Sequence, residues 1–436
     1  MSPTEDHRCL LTKMDFPQSS YYKLNLFLLT LSGIAPYQNK LSSNAIRIMY
    51  TSLSFFGCFS QTLKLIEEKF EKSLFFNIVP VLVYTVIYLS TYFIIAARSN
   101  KPTEELWDMM IDDWLSQRLE EENKIKERYA YHAYFASILI SVIFFSEILD
   151  YFVPLNETRP HLYIFPSETF NDGQKYFYLN ISIVICIFIV MAVPSIALFL
   201  AFCLYVQHAC GMFAVLGYRL EHALPKSILE TCDINVIDNC CKATLRLCIQ
   251  RHQKAVKFVA LAETYFSPFI FIMAGGVVLF LSISLSSSIE KNALQFRAVL
   301  QLLMFTGGLW ICTYLGQRLI DHSTDINVKA YNYPWYICRP SMRKHIPLIM
   351  ERSSRACMLT GFKLIPLSLD TCRVVSFSNS FKIYQVIIIF LMNYFNILAD
   401  AYGSFLLYGF KETIILLNAL MNVHENLVSM SFSVEL

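Results

Sequence analysis

Tyr84, Tyr88 and Tyr92 recur every four residues inside a long apolar run, a spacing that sets three phenol rings on one face of a helix. Such rings give a small organic molecule apolar faces to pack against and one hydroxyl each to bond. The same face also suits helix packing or an aromatic belt at a membrane interface. The sequence carries no GxSxG elbow, no Walker phosphate loop, no HExxH and no convincing Ser/His/Asp set, so neither an enzyme nor a cofactor is expected. Of its 13 cysteines, Cys232, Cys240, Cys241 and Cys248 lie near His252, yet their spacing is not that of a zinc site, and no metal is expected.

Those side chains need elements to hold them, and the composition indicates the solvent. Only 16% of the 436 residues are charged against 55% hydrophobic, with a mean hydropathy of +0.44, too few charges to solvate a surface of this size in water. The net charge of +2 is too small for nucleic acid to be a partner. Seven apolar runs fall at about 46–65, 74–97, 131–152, 179–206, 258–284, 298–320 and from 358, the last broken near Arg373 and resuming over 383–399. Each is close to the roughly twenty residues that cross a bilayer's hydrocarbon. None shows the alternation of a barrel strand, which leaves helices as the way to satisfy the backbone in lipid. Pro80, Pro194 and Pro268 sit inside three of them as tolerated kinks. Gly275-Gly276 and Gly307-Gly308 permit close helix approach.

Orientation follows from Lys and Arg. They concentrate in the amino-terminal segment and in the loops after the second, fourth and sixth spans, which the positive-inside rule puts in the cytoplasm. Seven crossings then leave the carboxyl terminus outside. The sequon Asn156-Glu157-Thr158 falls in a loop assigned to the outside, where Asn156 is a glycosylation candidate. Glu147, about one turn inside the third span, needs a partner or a purpose unless it reaches the outer interface. The acidic stretch 104–127, ending in Lys124, Lys126 and Arg128, reads as a solvated cytoplasmic helix with charges matched to its dipole, or as a subunit contact. Residues 24–35 read as a half-embedded amphipathic segment rather than a signal peptide.

Between 330 and 375 a basic loop holding Arg339, Arg343, Lys344, Arg352 and Arg355 runs without a linker into Leu359, Phe362, Leu364, Ile365, Leu367 and Leu369. Its Tyr331, Pro334-Trp335, Leu348, Arg352, Leu359-Thr360-Gly361 and Pro366-Leu367-Ser368-Leu369 resemble the most recognisable region of the insect odorant receptors. The inverted seven-span topology extends the resemblance along the chain to about Val375. The closing motif of the gustatory relatives, Thr-Tyr, five apolar residues and Gln-Phe, is not found.

The resemblance implies an all-α membrane protein of seven transmembrane helices, with a cytoplasmic amino terminus and an extracellular carboxyl terminus. It implies a ligand-gated, non-selective cation channel of four subunits, a tuning subunit joined by a shared odorant co-receptor subunit in a heterotetramer. The place would be the plasma membrane of an olfactory sensory neuron dendrite. The chain then divides into a cytoplasmic segment 1–45, spans one to six with a ligand-binding outer half over 46–320, an anchor loop 321–357, a pore-lining seventh helix 358–399 and an atypical tail 400–436.

A small volatile ligand would sit among the outer halves of spans two to six, where physics also favours a pocket. Candidate contacts are Tyr84 and Tyr88 on the second span, Ser141, Phe144, Phe145 and Ile148 on the third, Met191 and Ser195 on the fourth, and Phe305 and Thr306 on the sixth. Each position also suits ordinary packing. Ser380, Tyr384, Gln385 and Ile388 are pore candidates by position. Tyr331, Trp335, Arg339 and Arg352 are candidates for an intracellular anchor between subunits, with membrane lipids as the other partner of the basic residues. Other readings are a seven-helix receptor acting through a cytoplasmic transducer, a gustatory receptor-like channel, and a transporter. An epitope at the carboxyl terminus is expected to stain unpermeabilised cells and one at the amino terminus is not; the reverse pattern would remove this orientation.

Overall fold

The computed structural model describes residues 21–67, 72–98, 100–116, 119–150, 177–223, 234–290 and 296–371. All lie in the first of two compact units, Met1–Phe377, the second being Ser378–Leu436. The described elements run α1 (Lys23–Leu31), α2 (Lys40–Glu67), α3 (Lys72–Arg98), α4 (Asn100–Leu115), α5 (Glu120–Asp150), α6 (Phe177–Glu221), α7 (Ile234–Glu290), α8 (Phe296–Tyr331), α9 (Pro340–Arg343) and α10 (His345–Ser354). A hairpin of β1 (Thr360–Gly361) against β2 (Ile365–Pro366) closes the series. The first six expected spans are α2, α3, α5, α6, α7 and α8, and Pro194 and Pro268 lie inside their helices as the sequence suggested.

The helices outrun the membrane. With 57 residues, α7 is about 85 Å long at the standard rise per residue, far more than the ~30 Å of hydrocarbon. Hydropathy marks where the apolar solvent ends; the helix continues because its backbone is as well bonded in water once one face finds a partner. Among the described residues, Ile189–Glu221 of α6 and Ile237–Gly276 of α7 are long and apolar enough to cross a bilayer.

The core is built around α6. Every residue over 196–213 is buried, and a helix that is apolar all round must be surrounded. α1, α2, α3, α5, α7 and α8 all pack against it. Gly276 of α7 marks a close approach to α3, since an added Cβ would lie 3.0 Å from Ile87 Cδ1. Gly307 has nothing within 4 Å and Gly308 meets Phe199 at 3.9 Å, so the second glycine pair marks no such approach.

Two expectations are corrected. The acidic stretch is not one solvated helix: α4 ends at Leu115 and α5 restarts at Glu120. Trp107, Met110, Ile111 and Trp114, spaced for one helix face, are buried together with Tyr22, and Lys126 is buried against Asp113. The charge count hid that stripe. Nor does a seventh helix begin at 358. Residues 360–366 form the hairpin, turned by Phe362 and Lys363 at φ 49 and 60. Pro366 explains this, because it lacks an amide donor and pushes Ile365 away from the helical region. The rest of the expected seventh span, Asn156 and the tail 400–436 lie outside the described residues.

At the basic end of the bundle, fully buried Glu122 of α5 accepts both arms of the Arg219 guanidinium of α6, with Nη2 to Oε2 at 2.6 Å. Removing one partner strands the other charge. Glu122→Ala is therefore expected to cost about 3–5 kcal/mol and to lower the melting midpoint of the detergent-purified protein. Lys124→Ala should leave the midpoint in place, because its contacts with Glu120 and Glu121 are exposed. An unmoved midpoint for Glu122→Ala would mean that water reaches the pair.

Candidate functional site

Two of the second-span tyrosines, Tyr88 and Tyr92, share one face as their spacing predicts. Tyr88 and Tyr92 stack with centroids 5.9 Å apart and ring planes within 13°. The Tyr88 hydroxyl donates to the Val190 carbonyl of α6 at 3.5 Å. Beside it, Met191 is buried in the same apolar cluster as Tyr88 and Ile140. Tyr92 is taken up by packing, its hydroxyl donating to the Ser32 carbonyl at 2.7 Å and its ring edge-on to Tyr50.

Ser141 of α5 and Ser195 of α6 stand on helices that pack side by side. Each donates its proton within its own helix, to the Ser137 carbonyl at 2.8 Å and to the Met191 carbonyl at 2.9 Å. Such hydroxyls keep their lone pairs as acceptors. Tyr88, Ile140 and Met191 share one apolar cluster, with the Ser195 hydroxyl bonded to the Met191 carbonyl. Tyr84 of α3, Phe144, Phe145 and Ile148 of α5, and Phe305 and Thr306 of α8 lie on the expected helices, while their side chains fall outside the described ones. Ser380, Tyr384, Gln385 and Ile388 lie outside the described residues altogether.

The anchor candidates divide into two kinds. Tyr331 and Trp335 face outward, 63% and 41% exposed. Arg339 bridges to Asp238 of α7 at 3.4 Å, and Arg352 turns back on its own segment, reaching the Arg355 carbonyl at 3.1 Å and Cys357 Sγ at 3.9 Å. The two arginines staple the chain to itself. Nearby, burial and the Arg352 charge bring His252 down to about 4, so its imidazole is neutral at physiological pH. Burial pushes the Cys248 thiol up to about 11 and, with Cys241 beside it, Cys338 to about 12. Among the described residues, no three His, Cys, Asp or Glu side chains converge on a metal-sized site.

Two polar clusters were not anticipated. Asp113 of α4 pairs with Lys126 of α5, and His208 of α6 stands 3.3 Å from the same carboxylate oxygen. The ammonium lies 4.8 Å from the Trp114 ring centroid, and the Trp114 indole donates to the Tyr22 hydroxyl at 3.0 Å. A cavity of about 10 Å³ among Tyr22, Trp114, Lys126, Tyr129 and His208 is the size of one water. Burial, reinforced by Arg251 and Lys254, draws the Lys126 ammonium well below its ordinary pKa. The second cluster joins α7 to the hairpin. The Thr360 hydroxyl donates to the Glu263 carboxylate at 2.5 Å, and the Phe362 amide donates to Ser267 Oγ at 2.6 Å. Glu263 was detectable by the criterion that singled out Glu147, an ionisable group inside an apolar span.

Residues 72–379 match the family model described as 7tm Odorant receptor. The odorant receptor coreceptors of Aedes aegypti and Aedes albopictus are each 24% identical to this chain over 143 residues, covering 30% of it. The matched stretch spans 28% of the length of those relatives. The insect olfactory receptor OR5 from Machilis hrabei superposes with a TM-score of 0.63 at 14% identity, over 85% of this chain and 97% of that one. Its structure in complex with eugenol gives 0.66 at 12% identity, over 87% and 98%. At such identities the likeness establishes the fold, an all-α membrane bundle of the insect olfactory receptor kind. The family match extends over well more than half of the sequence, and the chain belongs to the 7tm odorant receptor family.

Proposed function

We propose that this chain is the tuning subunit of an odour-gated, non-selective cation channel, assembled with a co-receptor subunit in the plasma membrane of an olfactory sensory neuron. The observation that carries the reading is where this receptor fold leaves apolar side chains uncovered. Val328, Tyr331, Trp335 and Tyr336 are 58%, 63%, 41% and 66% exposed, beside the basic segment that the charge rule assigns to the cytoplasm. Large apolar side chains gathered there mark a protein contact. An anchor over 321–357, centred on Tyr331 and Trp335, fits that surface, with Arg339 and Arg352 holding its shape through contacts within the chain. The curated relatives that share a stretch with the chain are co-receptors, which supports an assembly of similar bodies around one pore. The pore would be lined by the segment that follows the hairpin, and Ser380, Tyr384, Gln385 and Ile388 remain its candidates.

The ligand would be a small volatile held between α3, α5 and α6, against Tyr84, Tyr88, Ser141, Met191 and Ser195, with Phe144, Phe145, Ile148, Phe305 and Thr306 completing the walls. The related fold that was solved with eugenol supports this size and chemistry of ligand. A ligand shifts the gating equilibrium only by its difference in affinity for the two states. A pocket shared by three separately packed helices provides such a difference.

Expressed alone, the subunit should give little or no odour-evoked current, and with a co-receptor it should conduct cations in the presence of G-protein blockers. Robust current from the subunit alone would overturn the heteromer; a current abolished by the blockers would favour a transducer-coupled receptor instead.

Tyr88→Ala removes ring contact worth on the order of 1–3 kcal/mol and should raise the half-maximal ligand concentration roughly ten- to a hundredfold. Tyr84→Ala should act in the same way. Tyr88→Phe isolates the hydroxyl, and an apolar ligand should tolerate it. Equal losses for every ligand, with their order of potency intact, would return both rings to packing.

A further inference from the structure

We infer that α5 and α8 form a site for one anionic phospholipid at the membrane edge that the charge rule assigns to the cytoplasm, with Arg128 and Arg318 meeting the headgroup phosphate and Trp310 and Tyr314 lying along the acyl chains. The inference does not depend on the channel reading.

Both helices flank α6, and their side chains meet at one level. The Tyr129 hydroxyl stands 3.0 Å from His322 Nε2, and the Arg318 guanidinium lies 5.5 Å from the Tyr129 ring centroid. The His132 ring stands edge-on to Tyr129 with centroids 6.2 Å apart. The floor is α6, since a Cβ added to Gly211 would lie 3.4 Å from Tyr129 Cβ. This level is a membrane edge by two separate signals: the third apolar run begins at about 131 and the sixth ends at about 320.

The chain leaves the charge of this cluster unbalanced. Arg128 is exposed and Arg318 half-buried, and among the described residues no carboxylate pairs with either. Of the acids nearby, Asp321 accepts the Gln317 amide at 2.9 Å, Asp325 bridges to Lys329 at 3.1 Å, and Glu127 is exposed. Burial and the Arg318 charge hold the His322 imidazole below its ordinary pKa, so the two arginines carry the positive charge. Nδ1 of His132 is buried with no hydrogen-bond partner among the described residues, the mark of a site that the chain alone does not complete. A phosphate diester supplies what is missing, because guanidinium groups bond its oxygens in a planar, two-pronged geometry. Basic pockets between helices on this side of a membrane suit anionic headgroups.

Toward the hydrocarbon both helices present apolar side chains outward. On α5 the exposed Phe135, Leu139 and Val142 continue the stripe that starts at Arg128 and His132. On α8 Trp310 and Tyr314 are 55% and 42% exposed and stack with centroids 5.5 Å apart and planes within 10°. They stand about two turns and one turn from Arg318, which puts Trp310 roughly 12 Å from it along the axis, beside the upper acyl chains of a lipid whose phosphate is held there. A soluble phosphate would use the arginines and leave this stripe uncovered. The joined apolar and basic surfaces commit the site to a lipid.

Tryptophan quenching tests it. The purified full-length protein is placed in nanodiscs of phosphatidylcholine with a minor share of phosphatidylserine, and brominated acyl chains are carried either by the phosphatidylserine or by an equal amount of the phosphatidylcholine. The Trp310 signal is the difference between wild type and Trp310→Phe. Brominated phosphatidylserine is expected to be preferred roughly ten- to thirtyfold, and Arg128→Gln or Arg318→Gln to lower that preference about fivefold each. The double variant should bring the two lipids nearly level, while Arg318→Lys should keep most of the preference. Arg318 also packs on Tyr129, so if Arg318→Gln folds poorly the wild-type preference and the exposed Arg128→Gln decide.

Equal quenching by the two lipids in wild type would make the stripe an ordinary lipid-facing surface and overturn the site. Quenching by neither would mean that protein, such as a second copy of the chain, covers Trp310, and would overturn it equally. An undiminished preference in the folded double variant, or in Arg128→Gln, would remove the arginines from it.

Discussion

Over 196–213, α6 has no face to give to any solvent, and the placement of the other helices follows from the need to cover it. A helix of that kind is stable only inside a shell, and six helices supply one. In lipid the apolar effect does not distinguish a neighbouring helix from a lipid tail, so fit and hydrogen bonds decide the register. Ala197, Ala201, Cys203, Ala209 and Cys210 keep the surface of α6 shallow enough for neighbours to approach. Phe199, Phe202, Tyr205 and Phe213 then fill the space between, with Phe202 and Tyr205 both meeting Phe266 of α7.

Shallow packing alone permits sliding, and the charged groups at the basic end oppose it. Glu122 with Arg219 and Asp113 with Lys126, His208 standing beside the latter pair, join two and three different helices through charge, and Tyr129 with His322 at 3.0 Å adds a neutral hydrogen bond between α5 and α8. Buried ion pairs of this kind add little net stability compared with apolar replacements, but a displaced register leaves each charge unpaired at a cost of several kcal/mol. They define which arrangement of α4, α5, α6 and α8 is allowed.

The sequence was legible where one physical signal dominates. Apolar run length located six spans, and the four-residue repeat of Tyr88 and Tyr92 reappears as a stacked pair. It was illegible where two signals compete. In α4 the acidic residues outnumber the stripe of Trp107, Met110, Ile111 and Trp114, so composition suggested solvent where packing prevails. Lys126 looked like the end of an exposed helix because its partner, Asp113, lies across a break in the chain that charge patterning does not reveal. At 358–371 a run of apolar residues suggested a membrane helix, and Gly361 with Pro366 decided for a hairpin. The exposure of Tyr331 and Trp335 and the intrachain contacts of Arg339 and Arg352 were not legible, since Asp238 and Cys357 are partners that only the fold supplies.

The same physics bears on how selective a site of this kind becomes. The Ser195 hydroxyl is already bonded within its own helix, to the Met191 carbonyl, as Ser141 is to the Ser137 carbonyl, so a ligand without polar atoms leaves neither proton unpaired. Discrimination then rests on shape. A misplaced methylene in an apolar pocket changes binding by only about 1–3 kcal/mol, whereas a site built to bond a particular polar group rejects analogues lacking it far more strongly. In the proposed pocket, a wall of rings and thioether with few polar demands would favour graded responses to a series of related volatiles over recognition of a single compound. Sharper tuning would require a polar group that the ligand alone satisfies.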